Sequence, residues 1–230
     1  MQTIIEKLTV PKVILRYIMM NFLDIDTIEN IIINVKIMNV LDNYSKDILT
    51  KAKHGFIWSC ENGYLTAAKW LYSLGDVDIH ADNEHAFRFS CWAGHLTVAK
   101  WLYSLGEVNI HAHDEQAFRL SCNTGHLHVA QWLYTLGNVN IHAENEYAFR
   151  FSCLAGHLTV AKWLYSLGDV NIHAHCESAF REACCYGHLT VAKWLYSLGK
   201  VDIHVYNGYV FRLTRGEILD WLNTLEIHLH

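Results

Sequence analysis

Apolar residues recur along this chain with the spacing of helices that are buried on most of their surface. The segment from residue 158 to residue 167 is apolar apart from three residues. Its polar residues Thr159, Lys162 and Ser166 stand at positions i, i+3 and i+7, which places them in one narrow stripe. Gly168 follows, as glycine commonly follows a helix. The pattern predicts a helix with both flanks buried.

A shorter helical pattern precedes this one, from Tyr147 to Ala155, and Gly156 and His157 form the turn between the two. Small and apolar residues share one face of this first helix and would let a neighbouring helix approach closely; they are Ala148, Phe149, Ser152 and Cys153. After Gly168, residues 170 to 174 show a brief β-like alternation that leads into the next unit. Two antiparallel helices per unit are predicted.

The unit returns every 31 residues. The string G-[HY]-L-[TH]-[VA]-A-[KQ]-W-L-Y-[ST]-L-G starts at Gly63, Gly94, Gly125, Gly156 and Gly187. Self-similarity at such a period indicates a stacked array of helical repeats. A residue that returns in every repeat is expected to serve packing, so function is expected where the repeats differ.

The period divides the chain into three parts. Five repeats cover 54–84, 85–115, 116–146, 147–177 and 178–208. The last segment, 209–230, is a truncated repeat that gains Glu217, Asp220 and Asn223, as a C-terminal cap with a polar outer face should. Residues 1–53 are expected to cover the other end.

The repeated residues resemble the ankyrin repeat. Shared are Gly-His-Leu at the turn, Val-Ala-x-x-Leu-Tyr-x-x-Gly along the second helix, and Ile-His-Ala where the family carries Val-Asn-Ala. The family's Thr-Pro-Leu-His signature reads Tyr147-Ala148-Phe149-Arg150 here, and the period is two residues below the usual 33. The resemblance implies an all-α ankyrin-type solenoid. Because the shortening falls in the link between repeats, we expect the β-hairpin fingers to be short or absent.

This Pro-poor version, with its repeated Trp-Leu-Tyr and Ile-His-Ala-[DE]-Asn-Glu, looks most like the ankyrin arrays that giant DNA viruses of amoebae encode. The resemblance implies a non-catalytic scaffold for protein–protein interaction, a monomer that engages a host protein in the host cytoplasm. It does not name the partner.

Two interpretations of the leader, residues 1–53, are open. It is Ile-rich and helical in character, with Pro11 suited to a first helical turn and Asp26 or Thr27 to an N-cap, as expected of a helical N-terminal cap. The run from Leu8 to Leu15, followed by Ile18 and Phe22-Leu23, is also similar to the opening of an F-box. An F-box would make the chain a substrate-binding adaptor of a ubiquitin ligase.

Composition excludes several partners. Lys and Arg total 18 against 23 Asp and Glu, and no dense basic run is present, so we expect no nucleic acid. Charged residues interrupt the most apolar region, 13–40, whereas a membrane span needs about 20 mostly apolar residues, so we expect no membrane. The first twelve residues lack the apolar stretch of a secretory signal, which predicts no export.

Cysteine recurs at one position of successive repeats, and we call such a set of equivalent residues a column. Five of the seven cysteines share one repeat position: Cys60, Cys91, Cys122, Cys153 and Cys184. Stacked helices lie about 8 to 10 Å apart, while a disulfide needs Cα atoms within about 7 Å, so these thiols are expected to stay reduced, as in the cytosol.

Histidine forms two further columns. His80, His111, His142, His173 and His204 follow the β-like stretch, and His95, His126, His157 and His188 lie at the turn. One imidazole per repeat does not converge as zinc ligands must, so we expect the rings to bond turn backbone and no metal cofactor. The metal-binding alternative would use the local cluster His173, His175, Cys176, Cys184 and Cys185, whose spacing matches no zinc template.

The sequence predicts no catalytic function. The recurring cysteines suit close helix packing, and neither a nucleophile with a unique base, a phosphate-binding loop nor an HExxH motif is present.

Tryptophan also recurs once per repeat, beside a column of Lys or Gln; this tryptophan column is Trp70, Trp101, Trp132, Trp163 and Trp194. It either packs between repeats beneath the lysine stems or forms an aromatic strip that a partner covers.

Two groups of positions differ between repeats and are the candidate protein-binding sites. On the first helix and before the turn they include Trp58, Phe89, Trp92, Asn123, Tyr147, Phe151, Leu154, Glu182 and Tyr186. In the link they include Asp82, His113, Asp114, Glu144 and His175. By resemblance to the ankyrin family, both groups face the groove where partners dock, and the aromatic residues would act as anchors.

Overall fold

The computed structural model describes residues 45–73, 77–199 and 201–227. In these residues the chain forms helices and turns without a strand, which confirms the predicted all-α class. The β-like stretch from residue 170 to residue 174 is irregular up to residue 171 and then enters a turn and a helix. Residues 1–44, which carry most of the proposed cap and the F-box-like segment, lie outside the described part.

Helices come in pairs separated by short turns. The first pair is α1 (Ser45–Glu61) and α2 (Leu65–Tyr72). The following pairs are α3 (Ala81–Trp92) and α4 (Leu96–Ser104), α5 (Ala112–Asn123) and α6 (Leu127–Thr135), α7 (Ala143–Leu154) and α8 (Leu158–Ser166), α9 (Ala174–Cys185) and α10 (Leu189–Ser197), and α11 (Val205–Leu213) and α12 (Gly216–Ile227). We call the odd-numbered members first helices and the even-numbered members second helices.

The chain divides into two compact units. The described residues of unit 1 are 45–73, 77–90 and Thr97–Val108, and those of unit 2 are Cys91–Leu96, 109–199 and 201–227. Within unit 2, α7 packs against the neighbouring first helices α5 and α9, and each of these three packs against the second helix of its own pair. Unit 2 therefore repeats one helical arrangement, as the period predicts.

The buried core of unit 2 is the same in successive pairs. Phe118, Phe149 and Phe180 of the first helices and Leu133, Leu164 and Leu195 of the second helices are each 1% exposed. Burying a side chain of this size contributes about 1.5–3 kcal/mol. The polar stripe of α8 is exposed as predicted, at Thr159, Lys162 and Ser166, and Tyr165 is exposed beside it.

An unusual link connects each pair to the next. Glu144, Asn145 and Glu146 have φ of 53°, 55° and 64°, which makes three consecutive left-handed residues without a glycine. A left-handed helical conformation costs roughly 1–2 kcal/mol per residue. We call this segment and its equivalents the left-handed turns; the others are 82–84, 113–115, 175–177 and 206–208. The right-handed part of α7 follows Glu146, which agrees with its predicted start at Tyr147.

An arginine of the first helix stabilises each left-handed turn. In α7, Arg150 Nε donates to the carbonyl oxygen of Asn145 at 2.8 Å, and Nη2 donates to that of Glu144 at 3.2 Å. Arg88, Arg119 and Arg181 make the same pair of bonds in their own turns, and Arg212 reaches the equivalent carbonyl oxygens with Nη1 and Nη2. The guanidinium group thus satisfies two carbonyls that the left-handed backbone leaves without a helical partner.

A buried glutamate then joins the turn to the next pair. Glu146 is 6% exposed, and its Oε1 accepts from His142 Nδ1 at 2.8 Å and from the backbone N–H of Asn171 at 3.1 Å. Glu115 and Glu177 make the equivalent contacts. These carboxylates link adjacent pairs within unit 2 and fix where the exposed residues of the turns lie.

Candidate interaction surface

In unit 1, two predicted site residues on first helices lie against other aromatic rings. The ring of Trp58, which is 46% exposed, lies 5.2 Å from that of Tyr64. Phe89 is half-buried, and its ring stacks on that of His85 at 4.2 Å. The turn residue Asp82 is exposed.

In unit 2, a continuous set of side chains extends over two first helices. The rings of Tyr147 and Phe151 stack at 4.0 Å on α7. The guanidinium of Arg119, from α5, lies 4.8 Å from the Tyr147 ring, and that of Arg150 lies 5.5 Å from the Phe151 ring. Cation–π contacts at exposed sites contribute about 0.5–1 kcal/mol each. The arginines that stabilise the turns therefore also order the aromatic side chains beside them.

The residues before the turns form a second row in unit 2. Trp92 and Tyr186 are 42% and 63% exposed, while Asn123 and Leu154 are half-buried. Thr124 Oγ1 lies within donating distance of two carbonyl oxygens, that of Leu120 on its own helix at 2.8 Å and that of Trp92 at 2.9 Å, so its one proton is shared between the helix and the row. Further back on α9, half-buried Glu182 forms an ion pair with Arg181 at 3.6 Å.

The predicted site residues of the link in unit 2 all belong to left-handed turns. His113, Asp114, Glu144 and His175 are exposed there. The arginine of the following first helix bonds the backbone of each turn. The side chains of these residues therefore project from an ordered backbone. The structure thus keeps variable side chains at the surface of an ordered link.

No protein-family model matches this chain, and a search of the curated proteins finds no match. The ankyrin and viral resemblances therefore stay predictions from the sequence. The case for a functional surface rests on geometry and on the differences between repeats.

The tryptophan column packs between helix pairs. Trp163 is half-buried, and its ring lies 6.1 Å from that of Phe118 and 5.9 Å, edge-on, from that of Tyr134 in the preceding pair. Trp101, Trp194 and Trp221 repeat this arrangement. Each of these indoles contacts aromatic rings of the previous pair. The contacts favour the packing interpretation.

The two histidine columns make different contacts. The expectation that the rings bond backbone was wrong for the link column, because Nδ1 of His111, His142 and His173 bonds the buried glutamate. In the turn column, the ring of His157 packs against the preceding turn. Its imidazole Nδ1 also lies 2.6 Å from the place that a Cβ on Gly125 would occupy, so this glycine is needed for the close approach.

The cysteine column lies in the interior. Cys91, Cys122 and Cys153 are fully buried, and all seven cysteines are free thiols. Burial raises the pKa of the Cys60 thiol to about 12 and also raises the pKa of Cys122. Thiolate formation, which nucleophilic catalysis needs, is therefore unfavourable at these positions.

Neither a metal site nor a membrane span is found in the part of the chain that the structure describes. No three His, Cys, Asp or Glu side chains there are arranged to hold a metal ion. In the cluster considered above, His173 bonds Glu177, Cys176 is exposed and Cys184 is buried. None of the helices from α1 to α12 combines the length and apolar character needed to cross a membrane.

The sequence did not reveal the arginine and glutamate columns as structural devices. The arginine recurs in the second to fifth repeats, as Arg88 does in the second, and the glutamate ends the first to fourth repeats, as Glu84 does the first. That recurrence was the available signal, since a charged residue without a packing role is free to vary on a surface.

Proposed function

We propose that this chain is a non-catalytic, ankyrin-type module that binds a protein partner through its first helices and left-handed turns. One observation carries the proposal: exposed positions change chemistry between helix pairs whose buried residues do not. Phe149 and Phe180 are each 1% exposed, while the exposed turn position that precedes each of them holds Glu144 or His175. A surface that varies on a constant core is what recognition by a repeat protein requires.

The exposed aromatic residues support a protein partner. Trp92 and Tyr186 leave 42% and 63% of their surface in solvent. Tryptophan, tyrosine and arginine dominate the binding energy of protein interfaces. The stacked pair of Tyr147 and Phe151, flanked by two guanidinium groups, adds ordered side chains that lose little conformational entropy on binding.

The second helices support the scaffold part of the proposal. Three of them, α4, α8 and α10, have the same sequence, LTVAKWLYS. Their tyrosines do not vary, and the rings of Tyr165 and Tyr196 contact tryptophans of the following pair. Partner choice is therefore assigned to the first helices, and the resemblance to viral arrays adds that the partner is a host protein in the cytoplasm.

Affinity capture with two matched double variants tests this assignment. The full-length protein is immobilised and incubated with host-cell extract, and bound proteins are identified after chemical crosslinking. Trp92→Ala with Phe151→Ala removes first-helix aromatics, and the control Tyr134→Ala with Tyr165→Ala removes second-helix aromatics that are 40% and 41% exposed. We expect the first variant to lose capture about tenfold or more, since anchor residues contribute about 2 kcal/mol or more.

The control should retain capture within about twofold, because that change is below 0.5 kcal/mol. Far-ultraviolet circular dichroism checks that both variants keep their helical content. Equal capture by the wild type and the first variant would remove this surface from consideration. Loss in the control alone would move the interface to the second helices.

A further inference from the structure

The turn histidines of unit 2 pack directly on the turn before them. A Cβ on Gly94, Gly125 or Gly156 would lie 2.6, 2.6 or 2.5 Å from the imidazole of the following turn histidine. The rings involved are those of His126, His157 and His188. Each ring therefore fills the space that a side chain would take and contributes to the contact between adjacent helix pairs.

Other histidines are the charged neighbours of these rings. Burial lowers the pKa of His126, and the imidazoles of His128, His95 and His157 lower it further. Burial and then His188 lower the pKa of His157, while a bond with the backbone of Asn123 raises it. The column thus places like charges beside one another as soon as its members take up protons.

The helix ends packed against the column offer no carboxylate at the residues next to the turns. Those residues are Trp92-Ala93, Asn123-Thr124, Leu154-Ala155 and Cys185-Tyr186. The nearest acid along these helix ends is Glu182, which already pairs with Arg181. Thiols and phenols are uncharged in acid. An imidazolium in the column therefore has no anion at these positions to compensate it.

We propose that the turn histidines form an acid-sensitive seam of unit 2, which loosens the contact between adjacent helix pairs when the rings are protonated. A histidine whose pKa is lower in the folded chain than in the unfolded chain gives the unfolded state more bound protons. The stability that this difference in pKa contributes is fully present above the unfolded pKa of about 6.5, and it is lost as the pH falls through the folded pKa.

The link histidines have different neighbours. Nδ1 of His111, His142 and His173 lies 2.7 to 2.8 Å from a buried glutamate oxygen. The link side of each helix pair therefore places a carboxylate beside its histidine, whereas the residues next to the turns hold none.

Urea denaturation of the full-length protein at about pH 7.5 and about pH 5.0 tests the seam. His126→Gln with His157→Gln removes two rings of the column. His113→Gln with His175→Gln is the matched control, because it removes two imidazoles from exposed turn positions. On acidification, we expect the urea midpoint of unfolding to fall by the same amount in the wild type and in the control. In the column variant, the midpoint should fall by roughly 0.5 M urea less.

The same loss in all three proteins would overturn the proposal. Should the column variant fail to fold, nuclear magnetic resonance titration of the wild type decides instead. We expect His126 and His157 to titrate below the histidines of the urea-unfolded chain, and titration at or above that value would contradict the seam.

Discussion

Arg150 holds Asn145 in a left-handed conformation: the arginine Nε donates to the asparagine carbonyl oxygen at 2.8 Å, and Asn145 has φ 55° and ψ 60°. A second bond, from Nη2 to Glu144, satisfies the carbonyl one residue earlier. The planar guanidinium reaches both oxygens at once, which a lysine ammonium on a flexible stem does less well. The link between helix pairs therefore depends on a side chain five residues further along the chain.

Replacing Arg150 with Lys should destabilise the protein by about 1–2 kcal/mol, because one of the two bonds and the stacking on Phe151 are lost. Urea denaturation followed by circular dichroism measures the change. Lys162→Ala, which removes an exposed cation from α8, serves as the control and should change stability by less than about 0.5 kcal/mol. Equal stability of the Lys variant and the wild type would show that the turn does not need the arginine.

Two glycines separate backbone strain from side-chain contact. Gly125 and Gly187 have φ of +82° and +89°. A Cβ at Gly125 would meet His157, whereas a Cβ at Gly187 would meet nothing within 4 Å. Alanine at either position carries the left-handed penalty of roughly 1–2 kcal/mol. We expect Gly125→Ala to cost about 1 kcal/mol more than Gly187→Ala, and His157→Ala to remove this excess. Equal costs for the two alanine variants would mean that the imidazole contact is not tight.

Glu146 should matter more than its exposed neighbour Glu144. Glu146→Ala removes the acceptor shared by His142 and the Asn171 backbone and is expected to cost about 2–3 kcal/mol in unfolding free energy. Glu146→Gln retains an acceptor oxygen and should cost less. Glu144→Gln is the control, since its side chain lies in solvent. A Glu146→Ala variant as stable as this control would contradict the bridging role.

The reactivity of the thiols tests whether the cysteine column is buried. Cys176 is exposed, whereas Cys122 and Cys153 are buried and burial raises the pKa of both thiols. Reaction with a disulfide reagent in native buffer should modify Cys176 rapidly, and Cys176→Ser should abolish that phase. Half-buried Cys185 lies outside the column and should react more slowly, and all seven thiols should react in urea. More than two rapidly reacting thiols in native buffer would show that the column is not buried.

The helical pairs could be predicted from the sequence because their signals are local. The apolar spacing around Thr159 and Lys162 predicted α8 to within one residue at its end, and Gly156 marked the turn before it. The burial of Phe149 and Cys153 also followed from the helical face that they share. Periodicity and glycine position were sufficient for these elements.

The left-handed turns could not be predicted in this way. Glycine is the usual sign of a left-handed residue, but Glu144, Asn145 and Glu146 carry side chains at all three positions. Their conformation depends on Arg150 and on contacts with the next pair, which appear only when the helices are packed. The same reason explains the link histidines, whose acceptor Glu146 is buried only in the assembled array.

The residues of the candidate surface were proposed from the sequence, but only part of the contacts between their side chains could be expected from it. Tyr147 and Phe151 stand at positions i and i+4, so their contact within α7 could be expected from the sequence. That Arg119 covers Tyr147 from the neighbouring helix could not, because this contact depends on the distance between α5 and α7.

Hydrogen–deuterium exchange of the full-length protein, with and without the captured partner, tests the central claim most directly. We predict slower exchange at the left-handed turns and first helices of unit 2, above all in Ala143–Leu154 and Ala174–Cys185. Exchange in the second helices Leu158–Ser166 and Leu189–Ser197 should stay unchanged. Protection confined to those second helices would contradict the account.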